Sequence, residues 1–124
     1  MTEEAAAGRL LKVREEAAGD ARILTLDGEF DLSSAPEVRA ALDGAVDAGT
    51  RKIVVDMLSC SFVDSTGLGV LLHAAKRIEG KGGMAIACVD EQIRRLLGLT
   101  MIDRTIPVFA NREDALANLG ASPE

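Results

Sequence analysis

Residues 52–57, Lys-Ile-Val-Val-Asp-Met, constrain the fold more than any other segment of the chain. Three consecutive β-branched residues leave no polar face, so a strand here must be buried on both sides, as in the middle of a parallel sheet. Parallel neighbours require crossover connections, usually helices. The chain supplies one on each side. Upstream, Ala35, Val38, Leu42, Ala45 and Val46 recur at helical spacing. Ser34 and Glu37 have capping-box spacing, Pro36 suits the first turn, and Gly49 ends the element. Downstream, Asp64 precedes a second helix with the apolar stripe Leu68, Leu71, Leu72, Ala75 and Ile78, so both Leu71 and Leu72 are predicted core residues. Gly80, Gly82 and Gly83 end it.

Met84 to Val89 reads as another buried strand. Asp90 caps a short helix with Ile93, Leu96 and Leu97 inward, closed by Gly98. Thr105 to Phe109 is a short strand that Pro107 places at a sheet edge. Asn111 caps a last helix with Ala115, Leu116 and Leu119 inward, ending at Gly120. Before all of these, Leu10–Val13 and Arg22–Leu26 read as an antiparallel pair across a turn at Ala17-Ala18-Gly19-Asp20. The order β-β-α-β-α-β-α-β-α predicts an α/β fold: a mixed sheet, antiparallel at its start and parallel later, with about four packed helices. The helices could cover one face or both.

At 124 residues the chain suits one domain. Residues 1–8 read as a flexible N-terminus, 9–119 as the domain and 120–124 as a flexible C-terminus. No apolar run approaches the ~20 residues of a spanning helix, and the start lacks a basic, apolar leader. A cytoplasmic protein is expected. The net charge of −6 arises within residues 1–50, which hold 11 acids and 5 bases. With no Trp or Tyr, the chain lacks both the positive field and the stacking aromatics of a nucleic-acid binder. Two Cys and one His cannot complete a zinc site. Cys60 and Cys88 read as reduced, buried thiols.

The segment Phe62-Val63-Asp64-Ser65-Thr66-Gly67-Leu68-Gly69 carries the most chemistry. With Asp64 as N-cap, Ser65 is the first helical residue, its hydroxyl at the positive end of the helix, a place that tolerates a phosphate. Gly67 and Gly69 would each cost ~1 kcal/mol relative to Ala inside a helix. They would keep the surface low enough for a partner backbone to approach. From the residues alone, an ordinary capped helix and a functional serine both remain open. Gly80-Lys81-Gly82-Gly83 lacks the order of a phosphate loop. Lys76, Arg77 and Lys81 complement the helix dipole. His73 lies off the apolar stripe, about 12 Å along the helix from Ser65, too far for a catalytic pair.

The run Ile53 to Leu72, with Val55-Asp56-Met57 and then Asp64-Ser65-Thr66-Gly67-Leu68-Gly69, closely resembles the STAS domain of anti-sigma factor antagonists. Gly28-Glu29-Phe30-Asp31 followed by Ser34-Ala35-Pro36 resembles that family's earlier motif. The likeness spans about residues 9–119. It implies that Ser65 is phosphorylated by a partner anti-sigma factor that is itself a serine kinase. It also implies that the unphosphorylated chain binds that partner and frees a sigma factor, and that a serine phosphatase resets the switch. Asp31 is then expected near Ser65. The expected partner-binding surface comprises Asp31, Asp64, Ser65, Thr66, Gly67, Leu68 and Gly69. No cofactor, metal, catalytic residue, nucleic acid or membrane enters this reading.

Two other readings compete. One is a regulatory or scaffold module of another partner-switching, stress-sensing or transporter-associated system. The other is phosphotransfer chemistry: Asp56 at a strand end, with Glu15 and Glu16 upstream, faintly resembles a receiver domain that phosphorylates Asp. Against it, Glu16 leads into a hairpin turn rather than a helix, and no Lys ends the last strand.

Overall fold

The computed structural model describes residues 10–79 and 83–121. Residues 1–8, Gly80, Lys81, Gly82 and 122–124, on which flexible ends and a helix exit were expected, lie outside the described residues. Strands β1 (Lys12–Ala18) and β2 (Ala21–Phe30) form the antiparallel pair, Ala18 opposite Ala21 across a two-residue turn. Gly19, at φ 63°, supplies the left-handed residue this tight turn needs. The antiparallel pairing matches the sequence expectation, but β1 begins at Lys12 rather than Leu10 and runs on through Ala17 and Ala18, expected in the turn, and β2 extends to Phe30. Residues 14–18 escaped notice because β1 is a largely exposed edge strand and carries no apolar alternation.

Helix α1 (Ala35–Asp47), strand β3 (Lys52–Asp56), strand β4 (Cys60–Val63) and helix α2 (Ser65–Arg77) follow. Then come β5 (Gly83–Ala87), α3 (Glu91–Leu99), a 3-10 turn at Ile102–Arg104, β6 (Val108–Phe109) and α4 (Arg112–Asn118). The sheet order is β1-β2-β3-β5-β6, with β4 alongside β2, and every pairing after the first is parallel. The mixed α/β sheet with four helices is therefore as predicted, and β6 lies at the edge that Pro107 foretold. Strand β4 and the 3-10 turn were not foreseen. β4 is only four residues long, with Ser61 and Phe62 exposed, so it has neither the length nor the pattern of a core strand.

The unbroken apolar character of β3 follows from helices on both faces of the sheet. Leu24, Leu26, Ile53, Val55 and Ile86 point into the larger core with Val38 and Leu42 of α1, Leu71 and Ala74 of α2, and Ile93 and Leu97 of α3. Their alternates Ile23, Val54 and Ala85 face Ala115 of α4 on the other side. Each fully buried Leu or Ile side chain contributes about 1.5–3 kcal/mol through removal from water.

Three local expectations need correction. Leu72 is half-buried and not a core residue, whereas Leu71 is fully buried. The inward face of α2 also takes Val70 and Ala74, so the stripe is rotated away from Leu72. Ser34 and Glu37 form no capping box, because the Ser34 hydroxyl is engaged within the preceding turn. Gly98 lies inside α3, and the helix is ended two residues on from Leu99 by Met101 in a left-handed conformation, φ 63°. The caps at Asp64, Asp90 and Asn111 are as predicted, each accepting a backbone N–H three residues ahead. Cys60 and Cys88 are free and buried, and burial pushes the Cys60 thiol up to about 11.

Candidate functional site

Two segments more than thirty residues apart are brought together by strand pairing. β2 and β4 run parallel, with Phe30 opposite Val63. Asp31 and Asp64 are therefore the next residues on adjacent strand ends. The Asp64 N–H donates to the Phe30 carbonyl at 3.2 Å and extends the pairing by one bond.

The Asp64 carboxylate then divides its two oxygens. Oδ1 accepts the Gly67 N–H at 3.0 Å and caps α2. Oδ2 accepts the Leu32 N–H at 3.0 Å and ties down the loop that follows β2. Asp31, half-buried, organises that loop from within. Its Oδ1 accepts from the Ser33 N–H at 3.0 Å, the Ser33 hydroxyl at 2.8 Å and the Ser34 N–H at 3.2 Å. The Ser33 hydroxyl bond, more than the backbone bonds, holds the Asp31 carboxyl below its ordinary value. Ser34 closes the turn, its hydroxyl accepting the Asp31 N–H and donating to the Glu29 carbonyl, both at 2.9 Å.

Ser65 opens α2 as its first residue and is exposed, as are Thr66 and Gly69. Gly67 and Leu68 are buried. The close approach that Gly67 permits is made within the chain: a Cβ there would meet the Phe30 carbonyl oxygen at 3.0 Å and Val63 Cγ2 at 3.0 Å. A Cβ on Gly69 would meet nothing within 4 Å. The outward surface of the motif is thus Ser65, Thr66 and Gly69, with Asp64 beneath. Leu32 stands beside it, 71% exposed. Sequence reasoning passed over Leu32; its signal is an apolar residue placed between Asp31 and two serines in an otherwise polar turn.

His73 is exposed on the outer side of α2. The arrangement offers Ser65 as an accessible hydroxyl that can receive a group, at a helix start where backbone N–H groups tolerate an anion. Among the described residues no cluster of three or more His, Cys, Asp or Glu could hold a metal ion. No helix there is long and apolar enough to cross a membrane.

Asp56 is elsewhere and otherwise employed. It is 5% exposed. Oδ1 accepts the Leu58 N–H at 2.9 Å and Oδ2 accepts from Arg112 Nε at 2.6 Å. Arg112 also pairs with Glu16 at 2.7 Å, and Glu15 with Arg22 at 3.7 Å. Glu16 and Asp56 share the Arg112 guanidinium and Glu15 is held by Arg22, so these acids are bound to arginines of the fold and form, among the described residues, no cluster that could hold a metal ion.

A family model described as the STAS domain matches residues 12–115. An anti-sigma F factor antagonist of Paenibacillus polymyxa is 35% identical over 99 residues, covering 78% of this chain and 85% of that protein. Among solved structures, an anti-sigma factor antagonist from Mycobacterium paratuberculosis superposes with a TM-score of 0.85 at 23% identity, covering 90% and 96% of the two chains. The Bacillus cell fate determinant SpoIIAA in its phosphorylated form superposes with a TM-score of 0.64 at 19% identity, covering 89% and 99%. The chain belongs to the STAS-domain family of anti-sigma factor antagonists.

Proposed function

We propose that this chain is an anti-sigma factor antagonist switched by phosphorylation of Ser65. Unphosphorylated, it binds an anti-sigma factor that is a serine kinase, and so frees a sigma factor for transcription in the cytoplasm. The kinase moves the γ-phosphoryl group of its ATP to Ser65 Oγ, the hydroxyl proton passes to a base on the kinase, and ADP leaves. A serine phosphatase reverses the modification by hydrolysis. The chemistry belongs to these partners, and the chain brings no cofactor.

The observation that carries this reading is the exposed Ser65 hydroxyl at the start of α2, fixed by the Asp64 cap. The relative from Paenibacillus polymyxa named as an antagonist supports the role. Asp31, Ser65, Thr66 and Gly69 form the contact surface, with Asp64, Gly67 and Leu68 supporting it from beneath.

A phosphate adds about −1.5 to −2 charges. The helix start offsets only ~0.3–1 kcal/mol of that at an exposed site. Two unit charges about 5 Å apart at an effective dielectric of ~20 repel by about 3 kcal/mol before screening. Repulsion from Asp64 is present in the free protein too, so it weakens binding only as the interface excludes water and raises it. Loss of phosphate hydration adds to the cost. Binding should fall by about 2–3 kcal/mol, roughly 30- to 150-fold. Calorimetry with the cognate anti-sigma kinase tests this on wild type, Ser65→Ala and Ser65→Asp. Wild type and Ser65→Ala should bind alike and Ser65→Asp poorly, with little change in melting temperature. Equal affinities for all three, with no kinase-dependent phosphate on Ser65, would overturn the reading.

A further inference from the structure

Beside Ser65 lies an open groove of about 260 Å³ between the start of α1 and the first turns of α2, lined by Leu32, Ala35, Pro36, Arg39, Thr66 and Val70. Its floor is apolar and buried, at Ala35 and Val70. Leu32 forms one wall and leaves most of its side chain in water. Arg39, exposed, forms another part of the rim and has no ion pair or hydrogen bond among the described residues. The groove therefore presents an apolar slot with one uncompensated positive charge, in a chain whose net charge is −6. Its complement is an apolar side chain with a carboxylate next to it.

The Leu32 wall is tied to the cap of α2 by the Leu32 N–H, which donates to Asp64 Oδ2. The same carboxylate caps the helix that begins with Ser65. We infer that this groove takes an apolar side chain of the anti-sigma partner, with a carboxylate set against Arg39, and that Asp64 is a positioning residue that aligns Leu32 with Ser65. This rests on the function proposed above. Asp64 acts with both oxygens turned inward, through the Leu32 amide, so that groove and hydroxyl reach the partner as one surface.

Asn at position 64 keeps one oxygen to cap Gly67 and loses the second acceptor, so Asp64→Asn separates the two tasks. The experiment is steady-state phosphorylation of Ser65 by the cognate anti-sigma kinase, with KM and kcat resolved, on wild type, Leu32→Ser, Asp64→Asn, their double variant and Arg39→Glu. Amide hydrogen exchange at Leu32 is followed in the free proteins. Leu32→Ser and Asp64→Asn should each raise KM about tenfold, the scale of an interface anchor, with kcat within about twofold. The double variant should be no worse than Asp64→Asn alone, since a released loop no longer places Leu32. Arg39→Glu should raise KM as well. The Leu32 amide should exchange faster in Asp64→Asn than in wild type.

Additive effects of the two substitutions, or unchanged Leu32 exchange, would overturn the positioning role. An unchanged KM for both Leu32→Ser and Arg39→Glu would overturn the groove as a partner site. Loss of self-association in Leu32→Ser with kinase kinetics intact would assign the groove to a second copy of the chain and overturn it also. A wild type that receives no phosphate from the kinase overturns the proposed function itself, and this inference falls with it.

Discussion

The carboxylate of Asp56 and the guanidinium of Arg112 meet at 2.6 Å from adjacent layers of the molecule, one at the end of β3 in the sheet and the other at the start of the α4 helix packed on it. Arg112 reaches across three strands at once, with Nη1 on Glu16 of β1, Nη2 on Thr25 of β2 and Nε on Asp56 of β3. Arg112→Met would leave the buried Asp56 carboxylate with the Leu58 N–H alone. The Arg112 side chain is about a third exposed. The loss should therefore lie near the low end of the range for a broken buried pair, about 3 kcal/mol. Adding Asp56→Asn should restore part of it by removing the stranded charge. Urea unfolding of the single and double variants measures both, and an Arg112→Met protein as stable as wild type would refute the clamp.

Two adjacent leucines should behave very differently. Leu71 is fully buried among the helices and sheet, and Leu71→Ala should cost about 2–5 kcal/mol. Leu72 is half-buried outside that core, and Leu72→Ala should cost less than about 1.5 kcal/mol. Equal midpoint shifts on chemical denaturation would show the helix to be rotated from the position described.

The two glycines of α2 should also separate. Gly69→Ala meets nothing and should raise stability by about 0.5–1 kcal/mol through helix propensity. Gly67→Ala drives a methyl group against the Phe30 carbonyl and should lower it. Thermal unfolding of the two variants decides, and stabilisation by Gly67→Ala would mean that Phe30 does not pack where described.

Asp31 should titrate below the ordinary carboxylate value of ~3.9, because its ionised form is held by the Ser33 hydroxyl and two backbone N–H groups. Its contribution to stability is complete above that ordinary value and is lost as pH falls through the lowered one. Ser33→Ala should move the titration back up, since the hydroxyl bond is the largest cause. Carboxyl-resolved NMR from pH 2 to 6 measures this, and an unshifted Asp31 in wild type would refute the loop geometry.

The fold was legible where burial is two-sided or a cap is chemical. Ile53-Val54-Val55 announced a central parallel strand, and Asp64, Asp90 and Asn111 announced three helix starts. β4 left no trace, because a four-residue strand with two exposed side chains has no period to detect. The Ser34-Glu37 spacing misled because Asp31 satisfies the same turn from the other side and draws the Ser34 hydroxyl to itself. At the site, Ser65 and its cap could be read from local order. Leu32 showed locally only as an apolar residue in a polar turn, and its place beside Ser65 depends on a hydrogen bond to a residue 32 positions away.

The opposition of Phe30 and Val63 has a consequence for chain length. β4 already carries one extra residue against β2, between Cys60 and Phe62, so side chains near the site can be exchanged one at a time, but a further residue would displace the Phe30–Val63 register. One residue added between Cys60 and Val63 would slide Asp64 past the Leu32 amide and turn alternate side chains of β4 to the wrong face. The same addition in the turn at Gly49 and Thr50, far from that pairing, would be absorbed by the loop. Tolerance to insertion should therefore map the alignment of the two aspartates more sharply than any substitution, with a gap in accepted lengths running from Gly28 to Asp31 and again from Cys60 to Ser65.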